Sequence, residues 1–156
     1  MRNGYMAAIL IMLSMPVLAS PPHTCSDFAV LSSVRDDGTE LGLFLSKEIV
    51  STPSWVPKGD EPPLPVGKAL SIALEWGRKT YTRFDSVDVE SIDLHRYGCS
   101  DLRDKWFYVV NFRPYIDGAA IYSSAHFAAV LMNGQVVAPR VTQASTPSNK
   151  TMEPTR

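Results

Sequence analysis

The chain has 156 residues, a formal net charge of −1 at pH 7 and 45% apolar residues. A chain of this length and composition builds one globular domain. The near-neutral balance, without a cluster of basic residues, excludes the electrostatic footprint of a nucleic-acid-binding protein, so no nucleic-acid partner is expected.

The first nineteen residues (1–19) have the organisation of a secretory signal peptide. Arg2 supplies a positive start, Ala7–Met15 an apolar run and Val17–Ala19 a small-residue cleavage site. The apolar run is much shorter than the ~20 residues that a spanning helix needs. Ser20, rather than a cysteine, follows the cleavage site, which predicts no membrane anchor once the leader is removed. We therefore expect a periplasmic or secreted mature protein.

The mature chain is predicted to contain one domain and a tail. Residues 25–141 carry the apolar patterns that can build a core. Residues 142–156 are rich in Ser, Thr, Pro and other polar residues, a composition that buries too little apolar surface to fold. The tail is therefore expected to be disordered.

The chain has two cysteines, Cys25 and Cys99. An oxidising compartment favours a disulfide between them, and closing so long a loop would stabilise the fold by ~4.5 kcal/mol in the chain-entropy model. The alternatives are two free thiols or a metal site. A metal site needs more ligands than these cysteines and the scattered His23, His95 and His126 provide. We predict the disulfide, with no metal and no other cofactor.

The first half of the domain predicts a hairpin, an irregular connection and a helix. Phe28–Val34 and Leu41–Leu45 flank an Asp-Gly turn signal and are predicted strands. Five prolines make Ser51–Pro65 irregular, with Trp55 as its anchor. From Val66 to Tyr81 apolar residues recur at helical spacing. The predicted buried stripe consists of Val66, Ala69, Leu70, Ala73, Leu74, Gly77 and Tyr81, with Trp76 beside it.

Two longer strands are predicted after the helix. In Val87–Leu94 the apolar residues change phase, which predicts a bulge near Ser91. Trp106–Arg113 is apolar on both phases, as expected for a central strand with both faces covered.

The last part of the domain predicts a closing hairpin. A strand over Ile121–Met132 leads into a two-residue loop at Asn133–Gly134. Gln135–Val141 returns as an edge strand, where Pro139 is tolerated. A hairpin, one helix and a meander of three to four strands make an α+β fold, with one amphipathic helix packed on a curled antiparallel sheet.

This element order resembles the cystatin-like and PepSY-like folds over Leu64–Val137, and His126–Val137 looks like the closing hairpin of a PepSY-type unit. Gln135–Pro139 is similar to the Gln-Val-Val-Ala-Gly hairpin of cystatins, with proline in place of glycine. Pro53–Trp55 is similar to their Pro-Trp loop. Val136 and Val137 also fit an ordinary edge strand. The resemblance implies an exported module that binds and restrains a protein partner, often a protease.

Three titratable residues are candidates for catalysis. Asp93 and His95 are two apart on a strand and share a face, and His126 could join them from a neighbouring strand. A carboxylate and an imidazole can perform general acid/base chemistry in a pocket that shifts their pKa values. A solvated sheet face has the same composition. No nucleophile elbow, metal-binding motif or phosphate-binding glycine loop is present in the sequence.

Four aromatic residues are candidates for a binding groove: Trp55, Tyr97, Tyr115 and Tyr122. Large amphipathic side chains of this kind dominate interface energetics, although each also suits core packing or a loop anchor. The sequence predicts a noncatalytic protein-binding or inhibitory module whose partner is a protease or an envelope protein. The alternatives are a small secreted or periplasmic enzyme that uses the Asp/His group on the outer sheet face, and a structural protein of the envelope.

Overall fold

The computed structural model of the protein describes residues 25–35 and 37–142. The predicted leader and the predicted tail beyond Thr142 lie outside the described residues. In chain order the elements are β1 (Ala29–Val34), β2 (Glu40–Phe44), a 3-10 turn (Ile49–Ser51), α1 (Val66–Thr80), β3 (Ser86–Arg96), a 3-10 turn (Ser100–Leu102), β4 (Trp106–Ile116), β5 (Ala119–Ala120), β6 (Phe127–Leu131), β7 (Val136–Val137) and β8 (Arg140–Thr142). Over this part of the chain there is one α-helix, as predicted.

The strands form two antiparallel sheets. The larger sheet has the order β3-β4-β6-β7, with the short β5 paired to β4, and the smaller has the order β1-β2-β8. The helix α1 packs on one face of the larger sheet. The smaller sheet covers the opposite face through a second apolar cluster. The predicted α+β class is confirmed, and the N-terminal hairpin belongs to a sheet of its own.

The central strand β4 explains why both faces of the larger sheet are covered. Tyr108, Val110 and Phe112 belong to the cluster under α1. Phe107 and Val109, on the other phase, belong to the cluster under the smaller sheet. Because successive side chains of a strand point to opposite faces, a strand that is apolar on both phases needs both covers. The predicted central position is confirmed.

The helix buries a face made of its smallest residues. Ala69, Ala73 and Gly77 are buried, whereas Val66, predicted in the stripe, is 52% exposed. A Cβ atom on Gly77 would lie 2.9 Å from the ring of Phe112, so the missing side chain permits the close approach of α1 to β4. Trp76 joins this face, with its ring centroid 5.6 Å from that of Phe112.

The predicted bulge in the first long strand is confirmed. The register between β3 and β4 shifts between Val89 and Ser91. An extra residue on one strand moves every following side chain to the other face. The bulge therefore causes the phase change that is seen in the apolar residues of the sequence.

The turn at Asn133–Gly134 is longer than predicted. The Leu131 N–H donates to the Gln135 carbonyl and the Gly134 N–H donates to the Leu131 carbonyl, which encloses three residues, Met132–Gly134. A two-residue type I′ loop needs a positive φ at both positions. Gly134 has φ 85°, whereas Asp117 is the one non-glycine residue with positive φ in the described ranges. The prediction of a hairpin here is right and that of its loop length is wrong.

The strands around this turn are also shorter than predicted. Strand β6 begins at Phe127 rather than Ile121, because the Ser123 hydroxyl accepts the Ala125 N–H and holds the preceding segment in a local turn. The predicted edge strand Gln135–Val141 is two strands, of which β7 pairs with β6 and β8 with β2. Pro139 lies between them. Because proline lacks a backbone donor, the chain leaves the larger sheet there and crosses to the smaller one.

Cys25 and Cys99 form the predicted disulfide, with their Cα atoms 6.0 Å apart. It joins the segment before β1 to the loop after β3, and beside it Phe28 stacks on Tyr97 with ring centroids 5.4 Å apart. Structural disulfides are typical of proteins that mature in an oxidising, extracellular type of compartment. In the described part of the chain, no helix has the length and apolarity that crossing a membrane requires.

Candidate functional site

A cleft of about 650 Å³ opens where the end of α1 meets the two sheets. Its volume is in the range of ligand-binding pockets. Five parts of the fold contribute to it: the β1–β2 turn, the end of α1 with the turn that follows, the end of β4, the segment before β6 and the β7–β8 crossover. The side chains that decide its chemistry are Arg35, Trp76, Tyr81, Arg83, Phe84 and His126.

His126 forms the floor of the cleft and is 7% exposed. Its ring meets the rings of Tyr81 and Phe84 edge-on, at centroid distances of 5.1 and 5.3 Å. Its Nδ1 is enclosed and has no hydrogen-bond partner. Since the ring lines the cleft, Nε2 is the nitrogen that a ligand can reach.

The charge state of this floor follows from burial and from two nearby cations. Burial lowers the pKa of His126 below its ordinary value, and the positive charges of Arg83 and Arg35 lower it further. Burial also raises the pKa of Tyr81 to about 12. At neutral pH the imidazole and the phenol are therefore both uncharged.

The charged rim of the cleft is formed by Arg35, Arg83 and Asp37. The Arg83 guanidinium carbon lies 4.7 Å from the centroid of the Phe84 ring, in a cation–π contact. The Asp37 carboxylate accepts the Thr39 N–H at 2.8 Å within the hairpin turn. Two arginines and one aspartate give the described lining residues one net positive charge.

Three exposed apolar residues lie on segments that contribute to the cleft. Ile116 lines it and is 42% exposed, while Val34 and Tyr122, each next in sequence to a lining residue, are 62% and 79% exposed. The Tyr122 ring is covered on one face by Arg113, whose guanidinium carbon lies 4.7 Å from the ring centroid. We refer to these three residues as the apolar rim.

The structure does not bring the three predicted catalytic residues together. Asp93 and His95 are exposed on β3, opposite Val109 and Phe107 of β4, and the His95 ring stacks on that of Phe107 at 5.8 Å. His126 is buried on the α1 side of the sheet, and its carbonyl accepts the Phe112 N–H. Along β4, the position of His126 beside Phe112 is three residues, or about 10 Å, from the partner of Asp93 and five residues, or about 17 Å, from the partner of His95.

The four predicted binding aromatics do not line a common groove. Trp55 anchors the proline-rich connection. Its backbone N–H donates to the Asp104 carbonyl, and its backbone carbonyl accepts the Trp106 indole N–H. The two tryptophan rings meet edge-on with centroids 5.3 Å apart. Tyr97 is buried in the core, where burial raises its pKa. Tyr115 and Tyr122 lie near the other end of β4, about 30 Å away. Tyr122 alone of the four belongs to the apolar rim.

One group of potential metal ligands occurs among the described residues. The Cys25 and Cys99 sulfur atoms and an Asp101 carboxylate oxygen lie within 4.8 Å of one another. Both sulfurs are in the disulfide, and thiolate rather than disulfide sulfur is the metal ligand. The atoms of this group are close enough together to hold a metal ion, but the disulfide sulfurs are not metal ligands.

Comparison of the chain with protein-family models, with curated proteins and with solved structures finds no significant match. The cleft itself was missed by reasoning from the sequence, because its residues come from positions as far apart as Arg35 and His126. No local spacing joins them. Two features of the sequence could have indicated the cleft. They are His126, which lies between apolar residues just before β6, and the aromatic pair Tyr81 and Phe84 just after the helix.

Proposed function

We propose that the mature protein is an exported, noncatalytic binding module of the periplasm or the cell exterior, and that it holds a protein partner at the cleft. A protease or an envelope protein is the class of partner that the sequence predicts. The leader-like first nineteen residues and the disulfide support export.

The observation that carries the proposal is the apolar rim beside the cleft. A small ligand is enclosed by a pocket, whereas large exposed apolar side chains grouped on the segments around a pocket are a surface that a protein partner can cover. Val34, Ile116 and Tyr122 are all exposed and come from three different segments, each of which contributes lining residues to the cleft. Tyrosine is among the residues enriched at interface hot spots.

The contacts of Ser123 and His126 in the cleft support binding over catalysis. Ser123 lines the cleft with His126, but its hydroxyl accepts the Ala125 N–H at 3.2 Å. Within the ranges that the structure describes, His126 has no hydrogen bond to a carboxylate or a hydroxyl group. Nucleophilic catalysis needs a nucleophile paired with a base and a base held by a third group.

Site-specific photo-cross-linking tests this proposal. A benzoylphenylalanine at position 122 keeps an aromatic ring on the apolar rim, and the same residue at position 66 is a matched control, because Val66 is 52% exposed on α1 and does not line the cleft. Irradiation is done on the full chain expressed in the producing organism. We expect one discrete protein adduct from position 122 and none from position 66. The absence of an adduct at 122, or equal adducts from both positions, would contradict the proposal.

A further inference from the structure

We propose that the cleft recognises a carboxylate, presented by an Asp or Glu side chain in an extended segment of the protein partner and held between Arg35 and Arg83. The inference rests on the proposed function and names the chemistry of the bound segment. It assigns to these two arginines the role of primary recognition groups.

The cleft has a charge opposite in sign to that of the whole chain. The chain as a whole has a net charge of −1, whereas the described residues that line the cleft carry one net positive charge. Among the described lining residues the one carboxylate is that of Asp37, which accepts the Thr39 N–H within its own hairpin. Both guanidinium groups act on the same two side chains of the floor, Tyr81 and His126. An anion is the complement of this arrangement, because guanidinium groups bind carboxylates in a bidentate, charge-assisted manner.

The floor of the cleft holds an unpaired imidazole nitrogen. His126 is more than nine-tenths buried and its enclosed Nδ1 has no partner. A neutral imidazole carries one N–H donor and one acceptor. If the proton is on Nε2, the enclosed Nδ1 carries only a lone pair, and the Nε2 N–H is a donor that faces the cleft. A carboxylate oxygen seated there accepts this N–H, while the neutral ring adds no charge of its own.

The apolar walls of the cleft favour a protein segment over a free small anion. Trp76, Ile116 and Ile121 supply apolar walls to the cleft, and Ile116 is 42% exposed. A segment that places its carboxylate at the arginines lays its neighbouring side chains along these walls. A free inorganic anion would leave them in contact with water.

The test removes the charges of Arg35 and Arg83 and measures the yield of the cross-linked adduct formed at position 122. In the double variant Arg35→Gln/Arg83→Gln we expect the adduct yield to fall about tenfold or more, since one partner of a desolvated charge pair is removed. The matched double variant Lys68→Gln/Arg78→Gln removes two exposed charges from α1 outside the cleft and should keep the yield. The pair Arg35→Lys/Arg83→Lys keeps both charges and should recover part of it.

The outcomes separate this inference from the proposed function. Without an adduct in the parent protein, the proposed function fails. An adduct that survives Arg35→Gln/Arg83→Gln, or one that is lost equally in the α1 double variant, overturns the carboxylate inference alone. Thermal unfolding of each variant verifies folding, and the single variants Arg35→Gln and Arg83→Gln, each expected to lower the yield, provide a second reading if the double variant is unstable.

Discussion

At the scale of single residues, His126 links the stability of the protein to pH. The ring is enclosed by Tyr81 and Phe84 and faces the positive charges of Arg83 and Arg35, with Asp37 also on the cleft. Burial lowers the pKa of the imidazole in the folded protein below its ordinary value of 6.5. The unfolded chain therefore binds a proton more readily than the folded one between these two pKa values.

This difference predicts that the free energy of unfolding decreases as the pH falls from above 6.5 toward the folded-state pKa of His126. His126→Phe keeps a ring between Tyr81 and Phe84 and does not titrate, so it should lose less stability over the same interval. Urea unfolding of both proteins at about pH 7.5 and about pH 5.5 measures the two differences. Equal losses in the two proteins would show that His126 is not responsible.

The sequence predicts the roles of some single residues and not those of others. The pairing of Cys25 with Cys99 and the anchoring of the proline-rich loop by Trp55 were predictable, because compartment and local composition determine them. The arrangement of Arg35 and Arg83 was not, since an exposed arginine has no periodic pattern. Their common position depends on the tertiary fold, which brings the β1–β2 turn and the turn after α1 to the same cleft.

At the scale of secondary-structure elements, the contact between α1 and β4 depends on the absence of a side chain at Gly77. A new Cβ atom there would be 2.9 Å from the ring of Phe112, which is almost fully buried. Gly67, near the start of the same helix, has nothing within 4 Å of the equivalent position. The two glycines thus form a matched pair in one helix.

We expect Gly77→Ala to lower the free energy of unfolding by about 1–3 kcal/mol through overpacking, even though alanine favours the helix by about 1 kcal/mol. Gly67→Ala should leave stability unchanged or raise it by up to about 1 kcal/mol. Urea denaturation of the two variants and the parent gives both values. A stabilising effect of Gly77→Ala would show that α1 does not approach β4 so closely.

Elements with a strong periodic pattern were predictable from the sequence, and the last strands were not. Helix α1 and the bulge in β3 follow from spacing alone. The division of Gln135–Val141 between two sheets depends on which strand each half meets, β6 or β2. Pro139 indicates a break in pairing, but only the tertiary fold decides where the chain goes next.

At the scale of the whole molecule, the two sheets are held together by their shared core and by the disulfide. Residues of β2 pack against odd-numbered residues of β4 and β6. The disulfide joins positions 74 residues apart and fixes the start of the smaller sheet beside the end of β3. The sequence predicted one sheet on one helix, because a hairpin pattern does not show which face of a later sheet it will cover.

The double variant Cys25→Ala/Cys99→Ala should have a free energy of unfolding that is lower by ~4.5 kcal/mol, because its unfolded chain regains the entropy that so long a cross-linked loop had lost. Chemical denaturation under non-reducing conditions measures the difference. The parent treated with a thiol reductant and alkylated should behave like the variant. Equal stability of the parent and the variant would mean that the cross-link does not constrain the unfolded chain.

The central claim is that partners are held at the cleft, and amide hydrogen exchange of the purified mature protein with and without its cross-linked partner tests it most directly. We predict slower exchange in the partner-bound state at Arg35, in Ile121–Ala125 and in the Thr80–Phe84 turn, with no change over the first two turns of α1. Slower exchange confined to the outer edge strand β3, Ser86–Arg96, with the cleft segments unchanged, would contradict the claim and indicate pairing by strand addition.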